Sequence, residues 1–244
     1  MDISLNKYIS NTGFCSRREA DNYIDDCRVT INGKDATKGN RVKEGDVVKI
    51  DGELLKEKKS DVYLMFNKPK GITCTTDTKD KNNIIDFINY KSRIFPIGRL
   101  DKLSEGLIFL TNDGDIVNKV LRSGNNHEKE YIVTTEQKMN ATFINNMRKG
   151  VKILGSVTDP CFVKQEADYR FRIILKQGLN RQIRRMCESL GYKVTSLKRI
   201  RIMLFNLQSL PMGKWRYFTT DEIHLLNSLV AKSSKIADPD NMGE

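Results

Sequence analysis

The sequence predicts an α+β fold with a mostly antiparallel mixed sheet, preceded by a small N-terminal unit. Short β-branched and apolar runs recur between turn signals at Val29 to Ile31, Val47 to Ile50, Val62 to Asn67, Gly106 to Thr111, Tyr131 to Thr134 and Phe171 to Leu175. Helical patterns lie among these runs, but without the regular alternation that builds parallel sheets. Two S/T-x-x-E signatures, Ser16 with Glu19 and Thr219 with Glu222, mark helix starts near either end of the chain.

The elements follow in order. "LNKYISNTGFCSRREADNYI" holds two short helical patterns broken at Thr12-Gly13, the second opened by Ser16 and carrying Arg17 and Arg18. The two strand runs after it are separated by Asn-Gly and Glu-Gly-Asp turns. Helices followed by such a strand pair, with the phrases "SRREAD" and "VTINGK", resemble the S4 RNA-binding domain. That resemblance implies that Arg17 and Arg18 contact RNA. "LLKEKKSD" reads as a charged linker, so the first domain is expected over residues 1–60. A second domain over 61–230 opens with the strand of "VYLMFNKPKGITCTT", which runs into Lys68-Pro69 and a glycine turn. Its helices are expected at Ile84 to Asn89, Ile116 to Arg122, Asn140 to Lys149, Asn180 to Leu190, and from Thr219 onward. Residues 231–244 are rich in Ser, Lys, Asp, Asn and Gly and are expected to be a disordered tail.

At 244 residues, with 39% hydrophobic and 30% charged residues, the chain can bury a sizeable core. No apolar stretch of membrane-spanning length and no signal core occurs, so a cytoplasmic protein without membrane association is expected. Five scattered cysteines without a CxxC, and two distant histidines, supply no zinc set, so no metal is expected. Neither a Rossmann glycine loop nor a P-loop occurs, and no cofactor is expected. Nothing local suggests a Ser-His-Asp or Cys-His nucleophile.

The net charge is +11, and its placement is uneven. Residues 1–60 hold 12 Lys or Arg against 11 Asp or Glu, whereas Arg170 to Arg201 hold ten cations against Glu188 alone. A run so unbalanced points to a polyanion, and nucleic acid is the leading partner.

Two stretches carry possible chemistry. In "PIGRLDKLSEGLIFLTNDG", the loop before an apolar strand presents Asp101 two residues after Arg99. Locally this is either a turn-forming aspartate or a carboxylate offered to a site. In "GLNRQIRRMCESLGY", Ile183, Met186, Cys187 and Leu190 fall on one helical face, and Arg181, Arg184, Arg185 and Glu188 form a charged one. Either the helix only binds phosphates, or one arginine pairs with a buried carboxylate and keeps it ionised and aimed.

"GRLDKLSEGLIFLTNDG", "NKPKGI", "KEYIV" and "GLNRQIRRM" together resemble the motifs of the pseudouridine synthases, in the same order. With the S4-like start, about residues 3–230 are similar to the RsuA/RluB/RluE/RluF family. "LRSGNNHEKEYIV" is closest to its RluF type, which acts on 23S (large-subunit) ribosomal RNA. The resemblance implies a pseudouridine synthase fold over 61–230 and an isomerase that needs no cofactor. It implies Asp101 as the catalytic aspartate, Tyr131 as the aromatic stacking on a flipped base, and Arg184 as the ion-pair partner of Asp101. Lys68, Arg99, Arg181 and Arg185 join Arg17 and Arg18 as expected RNA contacts. The expected partner is a large-subunit rRNA stem-loop, with tRNA as a possible addition, and a monomer is the expected state. The alternatives are a non-catalytic S4-type ribosome-assembly factor, or a synthase acting on small-subunit rRNA or tRNA.

Overall fold

A computed structural model describes residues 2–56, 60–121, 126–231 and 233. The chain divides into two compact units, Met1–Val62 with Tyr90–Ile94 and Asn112–Gly114, and Tyr63–Asn89 with Phe95–Thr111 and Asp115–Glu244.

The first unit contains β1 (Asp2–Ser4), α1 (Leu5–Asn11), α2 (Arg17–Asp25), β2 (Val29–Ile31), β3 (Lys34–Asp35), β4 (Arg41–Lys43), β5 (Val48–Ile50) and β6 (Glu53–Leu54). The capping box forms: Ser16 Oγ accepts the Glu19 N–H at 3.2 Å, and the Glu19 carboxylate accepts the Ser16 N–H at 2.7 Å. Those bonds satisfy orphan donors of the first turn and hold the Glu19 carboxyl below its usual range. Leu5, Ile9, Ala20 and Ile24 then bury one face of each helix against Val29, Val42, Val48 and Ile50. Arg17 and Arg18 are left exposed on the outer side of α2.

The second unit runs β7 (Tyr63–Lys68), α3 (Ile84–Ile88), β8 (Phe95–Ile97), β9 (Glu105–Thr111), α4 (Gly114–Leu121) and β10 (Lys129–Thr135). It continues with α5 (Ala141–Lys149), β11 (Lys152–Ile153), β12 (Ser156–Val157), β13 (Phe162–Ala167), β14 (Arg170–Leu175) and α6 (Gln182–Ser189). β15 (Val194–Ile202), β16 (Phe205–Asn206), β17 (Trp215–Tyr217) and α7 (Thr220–Val230) complete it. The main sheet has the order β13-β14-β10-β15-β9-β7-β17, and β15–β9 is its parallel pair. The α+β class and mixed, mostly antiparallel sheet are therefore as expected. Every residue of β7 is buried, which explains why it reads as a continuous apolar run rather than an alternating one. α5 and α6 cover one part of the sheet through Phe143, Met147, Ile183 and Met186, packed on Val133, Phe171 and Ile173. α4 and α7 close another part through Ile116, Val120 and Leu226 on Met65, Leu107 and Phe109.

β13 and β15 were not anticipated as strands. β15 places cations between its apolar residues, and that mixture reads in sequence as charge rather than as a strand. The unbalanced run is also corrected by the fold. Arg172 pairs with Glu130 and Glu166, Arg201 with Glu128 and Glu130, Arg170 with Glu166, and Lys193 with Glu136. The answering carboxylates lie on or beside β10 and β13, next to the cationic strands in space and outside the cationic run in sequence. The expected end of α4 at Arg122, and the tail from residue 234, lie outside the described residues.

Candidate active site

The loop from Gly98 to Ser104 carries Asp101, and several fixed donors hold it. Ser104 N–H returns to the Asp101 carbonyl at 2.9 Å, Gly71 N–H reaches the Lys102 carbonyl at 2.8 Å, and Leu100 N–H reaches Cys74 Sγ at 3.4 Å. Below the loop, Lys68 Nζ donates to the carbonyls of Ser104 (2.8 Å), Pro69 (2.9 Å) and Asp101 (3.3 Å). Lys68 is 0% exposed, and burial pushes its amine below the usual lysine range. Its expected place among the RNA contacts is thereby corrected. An ammonium spent on three carbonyls in the interior reaches no phosphate; its work is to fix the loop.

Arg184 comes from α6, whose N-cap Arg181 is in the left-handed conformation at φ 50°. That kink delays the helix to Gln182, two residues later than expected. Arg184 is not on a solvated face as the helical split suggested: its side chain is 8% exposed, against 31% for Asp101. Its Nε lies 3.8 Å from Asp101 Oδ2. Nη2 donates to the Leu103 carbonyl at 3.1 Å and Ser104 Oγ at 3.4 Å, and Nη1 to the Val194 carbonyl at 3.2 Å. Burial draws the guanidinium below its ordinary value, and the Asp101 carboxylate is the strongest opposing influence. Such an arrangement presents a carboxylate to a cleft while its counter-ion stays behind it.

The cleft has a volume of about 910 Å³, and Asp101, Arg99, Tyr131, Arg181, Lys129 and Arg199 are among its lining residues. Tyr131 is half-buried on β10, with Ile173 of β14 and Arg199 of β15 as its register partners. A bulge falls here: Glu130 pairs with Arg201 and Tyr131 with Arg199, so Ile200 is the extra residue of β15. Gly106 faces Arg199 across the parallel pair. A Cβ at Gly106, whose φ is +106°, would lie 2.2 Å from the Arg199 carbonyl oxygen, so only glycine permits this approach. Arg99 and Arg181 are exposed at the cleft. Arg185 is half-buried and donates to Asn180 Oδ1 at 3.1 Å.

Three cleft residues escaped the sequence reading. Ser104, with its hydroxyl on Arg184, looked like part of a turn. Lys129 stands two residues before Tyr131 and therefore on the same side of β10, a signal available in "KEYIV". Arg199 was submerged in the charge run. Among the described residues, no cluster of three or more His, Cys, Asp or Glu side chains could hold a metal ion, and no helix is long and apolar enough to cross a membrane.

With this geometry in place, comparison with known proteins is informative. The RNA pseudouridylate synthase family profile matches residues 62–189, and the S4 domain profile residues 4–48. A protein of Escherichia coli O6:H1 named dual-specificity RNA pseudouridine synthase RluF is 55% identical over 239 residues, covering 97% of this chain and 82% of its own length. Ribosomal large subunit pseudouridine synthase B of Bacillus subtilis is 32% identical over 234 residues, covering 92% of this chain and 96% of its own. A crystal structure of a pseudouridylate synthase superposes with a TM-score of 0.67 at 29% identity, over 92% of this chain and 99% of that one.

Proposed function

The chain belongs to the RNA pseudouridine synthase family, and from that premise we propose that it converts a uridine of 23S ribosomal RNA to pseudouridine, with Asp101, Tyr131 and Arg184 as its reacting set. As a member of that family it is an isomerase, which sets aside a non-catalytic assembly factor. The observation that carries the residue assignment is the buried Arg184 at 3.8 Å behind the carboxylate of Asp101, in the cleft that Tyr131 also lines.

The chemistry follows from that arrangement. Uridine must lose its C1′–N1 bond, turn its base and rejoin ribose through C5. The base cannot react inside a helix, so it leaves the stack at a cost of a few kcal/mol. Stacking on Tyr131 offsets about 1–3 kcal/mol of that. Asp101 acts by attacking sugar or base or by taking a ribose proton, and Arg184 lies behind it as counter-ion and holds it oriented. Arg99, Arg181 and Arg185 contact the RNA backbone near the cleft, while Arg17 and Arg18 grip a stem through the S4 domain. The protein works as a monomer in the cytoplasm. The dual specificity in the name of relatives at 54–56% identity supports a second RNA substrate, and tRNA is the one we infer.

The test is chemical mapping of pseudouridine in rRNA and tRNA from cells lacking the gene, complemented with wild type or Asp101→Asn. One rRNA position should lose its pseudouridine and regain it with wild type only. Restoration by Asp101→Asn would remove Asp101 from the mechanism, and an unchanged 23S rRNA map would refute the substrate.

A further inference from the structure

Lys129 is a lysine held inside the protein beside the cleft. It is 8% exposed, and its Nζ donates to the carbonyls of His127 at 3.1 Å and Lys176 at 3.3 Å. An ammonium has three protons, so two carbonyls leave one donor unspent. Arg199, 4% exposed, spends Nε on the Leu107 carbonyl at 2.7 Å. Its buried Nη2 has no hydrogen-bond partner among the described residues. Both side chains line the cleft. Neither is answered by a carboxylate among the described residues, unlike Arg172 or Arg201. Two buried cations close enough for Arg199 to depress the amine, itself brought to about 8 chiefly by burial, make a costly arrangement for a free protein. Strand geometry puts Lys129 about 7 Å along β10 from Tyr131 on the same side, and Arg199 directly across from Tyr131. The cations therefore flank the ring against which the base is expected to lie.

We propose that Lys129 and Arg199 form a cationic floor that takes up the negative charge of the uracil when it leaves ribose. The proposal rests on the cleft being the uridine site. In the step concerned, the C1′–N1 bond breaks and its electron pair stays with the base, whose charge spreads over N1, O2 and O4. The deficit at C1′ is met by Asp101, through a bond to C1′ or removal of a ribose proton that is later returned. After the base turns, C5 bonds to C1′. The hydrogen on C5 then departs as a proton and N1 gains one, so composition and charge are conserved. Fixed donors aimed at charge that develops only during reaction accelerate it, because they need no reorganisation in a site closed to water. Lys129 is then a catalytic residue that touches the base, and not merely a tie between the ends of β10 and β14.

The experiment compares wild type and Lys129→Gln in single turnover on an rRNA stem-loop whose target is uridine or 5-fluorouridine, at mildly acidic pH. It reads the rate of C1′–N1 cleavage, because fluorine on C5 leaves no proton to depart in the last step. Fluorine stabilises the uracil anion by itself. The variant should lose about a hundredfold in rate on uridine, as deletion of such a donor typically does. It should bind the RNA within about threefold of wild type, and lose about tenfold less on the fluorinated target. Lys129→Arg, which keeps the charge, should recover most of the rate. Equal losses on the two targets, or no loss on uridine, would overturn the proposal, because a structural tie is blind to the leaving group. Lys129→Met takes the place of Lys129→Gln should the latter not fold. If wild type itself leaves the uridine stem-loop unconverted, the substrate reading fails, not the cationic floor.

Discussion

Arg184→Met removes a guanidinium that touches the Asp101 loop in several ways, and the loss can be estimated contact by contact. At 3.8 Å and an effective dielectric near 20, the attraction to Asp101 is about 4 kcal/mol before correction. Asp101 is 31% exposed, and solvent reduces that to about 2 kcal/mol. The Leu103 and Val194 carbonyls lose their donor at about 1 kcal/mol each. Against this, the variant no longer buries a cation, so the net loss is about 2–3 kcal/mol. For a unit of this size that lowers the melting temperature by about 5–10 °C. Turnover should fall further, by about a hundredfold at saturating RNA, because Asp101 loses its aim as well as its counter-ion. Thermal unfolding of wild type, Arg184→Met, Asp101→Asn and the double variant forms a cycle whose coupling should be about 1–2 kcal/mol. Coupling within about 0.3 kcal/mol of zero would mean that the two groups are neighbours without an interaction that matters, and the reasoning would fail.

Other consequences of the structure are equally open to measurement. Gly106→Ala forces a Cβ to 2.2 Å from the Arg199 carbonyl, so the β9–β15 pair must part; the melting temperature should fall by about 10 °C, and an unchanged one would deny the close approach. Lys129 has its amine brought to about 8 in the folded state against 10.5 in the open chain, so the unfolded chain binds more protons between those values. Wild type should therefore gain stability over Lys129→Met as pH rises from about 8 toward 10.5, a trend that denaturant titrations at both ends would reveal or refute. Arg17→Ala and Arg18→Ala, exposed on α2, should each weaken binding of the rRNA stem-loop and lower its salt slope by about one unit, while the single-turnover rate at saturation stays put.

Local signals survived the passage from sequence to fold best. The boxes at Ser16 and Thr219 close within three residues, so nothing distant alters them, and both form. β2 spans Val29–Ile31 as expected, because turns on both sides fix its ends. The Asp101 loop was legible as a carboxylate before a buried strand, but its support was not: Lys68 and Cys74 reach it from one stretch and Arg184 from another far along the chain. Burial was the property read worst. Lys68 and Arg184 look in sequence like any other cations, and only long-range packing turns them inward. Helical spacing put Arg184 and Arg185 on one face, whereas contacts made by α6 with the Asp101 loop divide them.

The basic run invites one more test, because its charge is mostly consumed within the fold. Arg170, Arg172, Arg201 and Lys193 sit on carboxylates, and Arg184 and Arg199 are buried. Arg181 is 3.9 Å from Glu188, and Arg185 is partly engaged by Asn180. Lys176 and Lys198 have no ion pair among the described residues. Counterions are released only where phosphate meets an unanswered cation, at a slope of about 0.7–0.9 per contact. Lys176→Gln and Lys198→Gln should thus each flatten the salt dependence of RNA binding by nearly one unit. Arg172→Gln should leave the slope unchanged, yet cost stability, because Glu130 is 8% exposed and would keep only Arg201. Slopes measured by filter binding across a salt series would decide. A loss of one unit in Arg172→Gln would mean that this arginine exchanges its carboxylates for phosphate on binding, and that the cationic run acts as a patch after all.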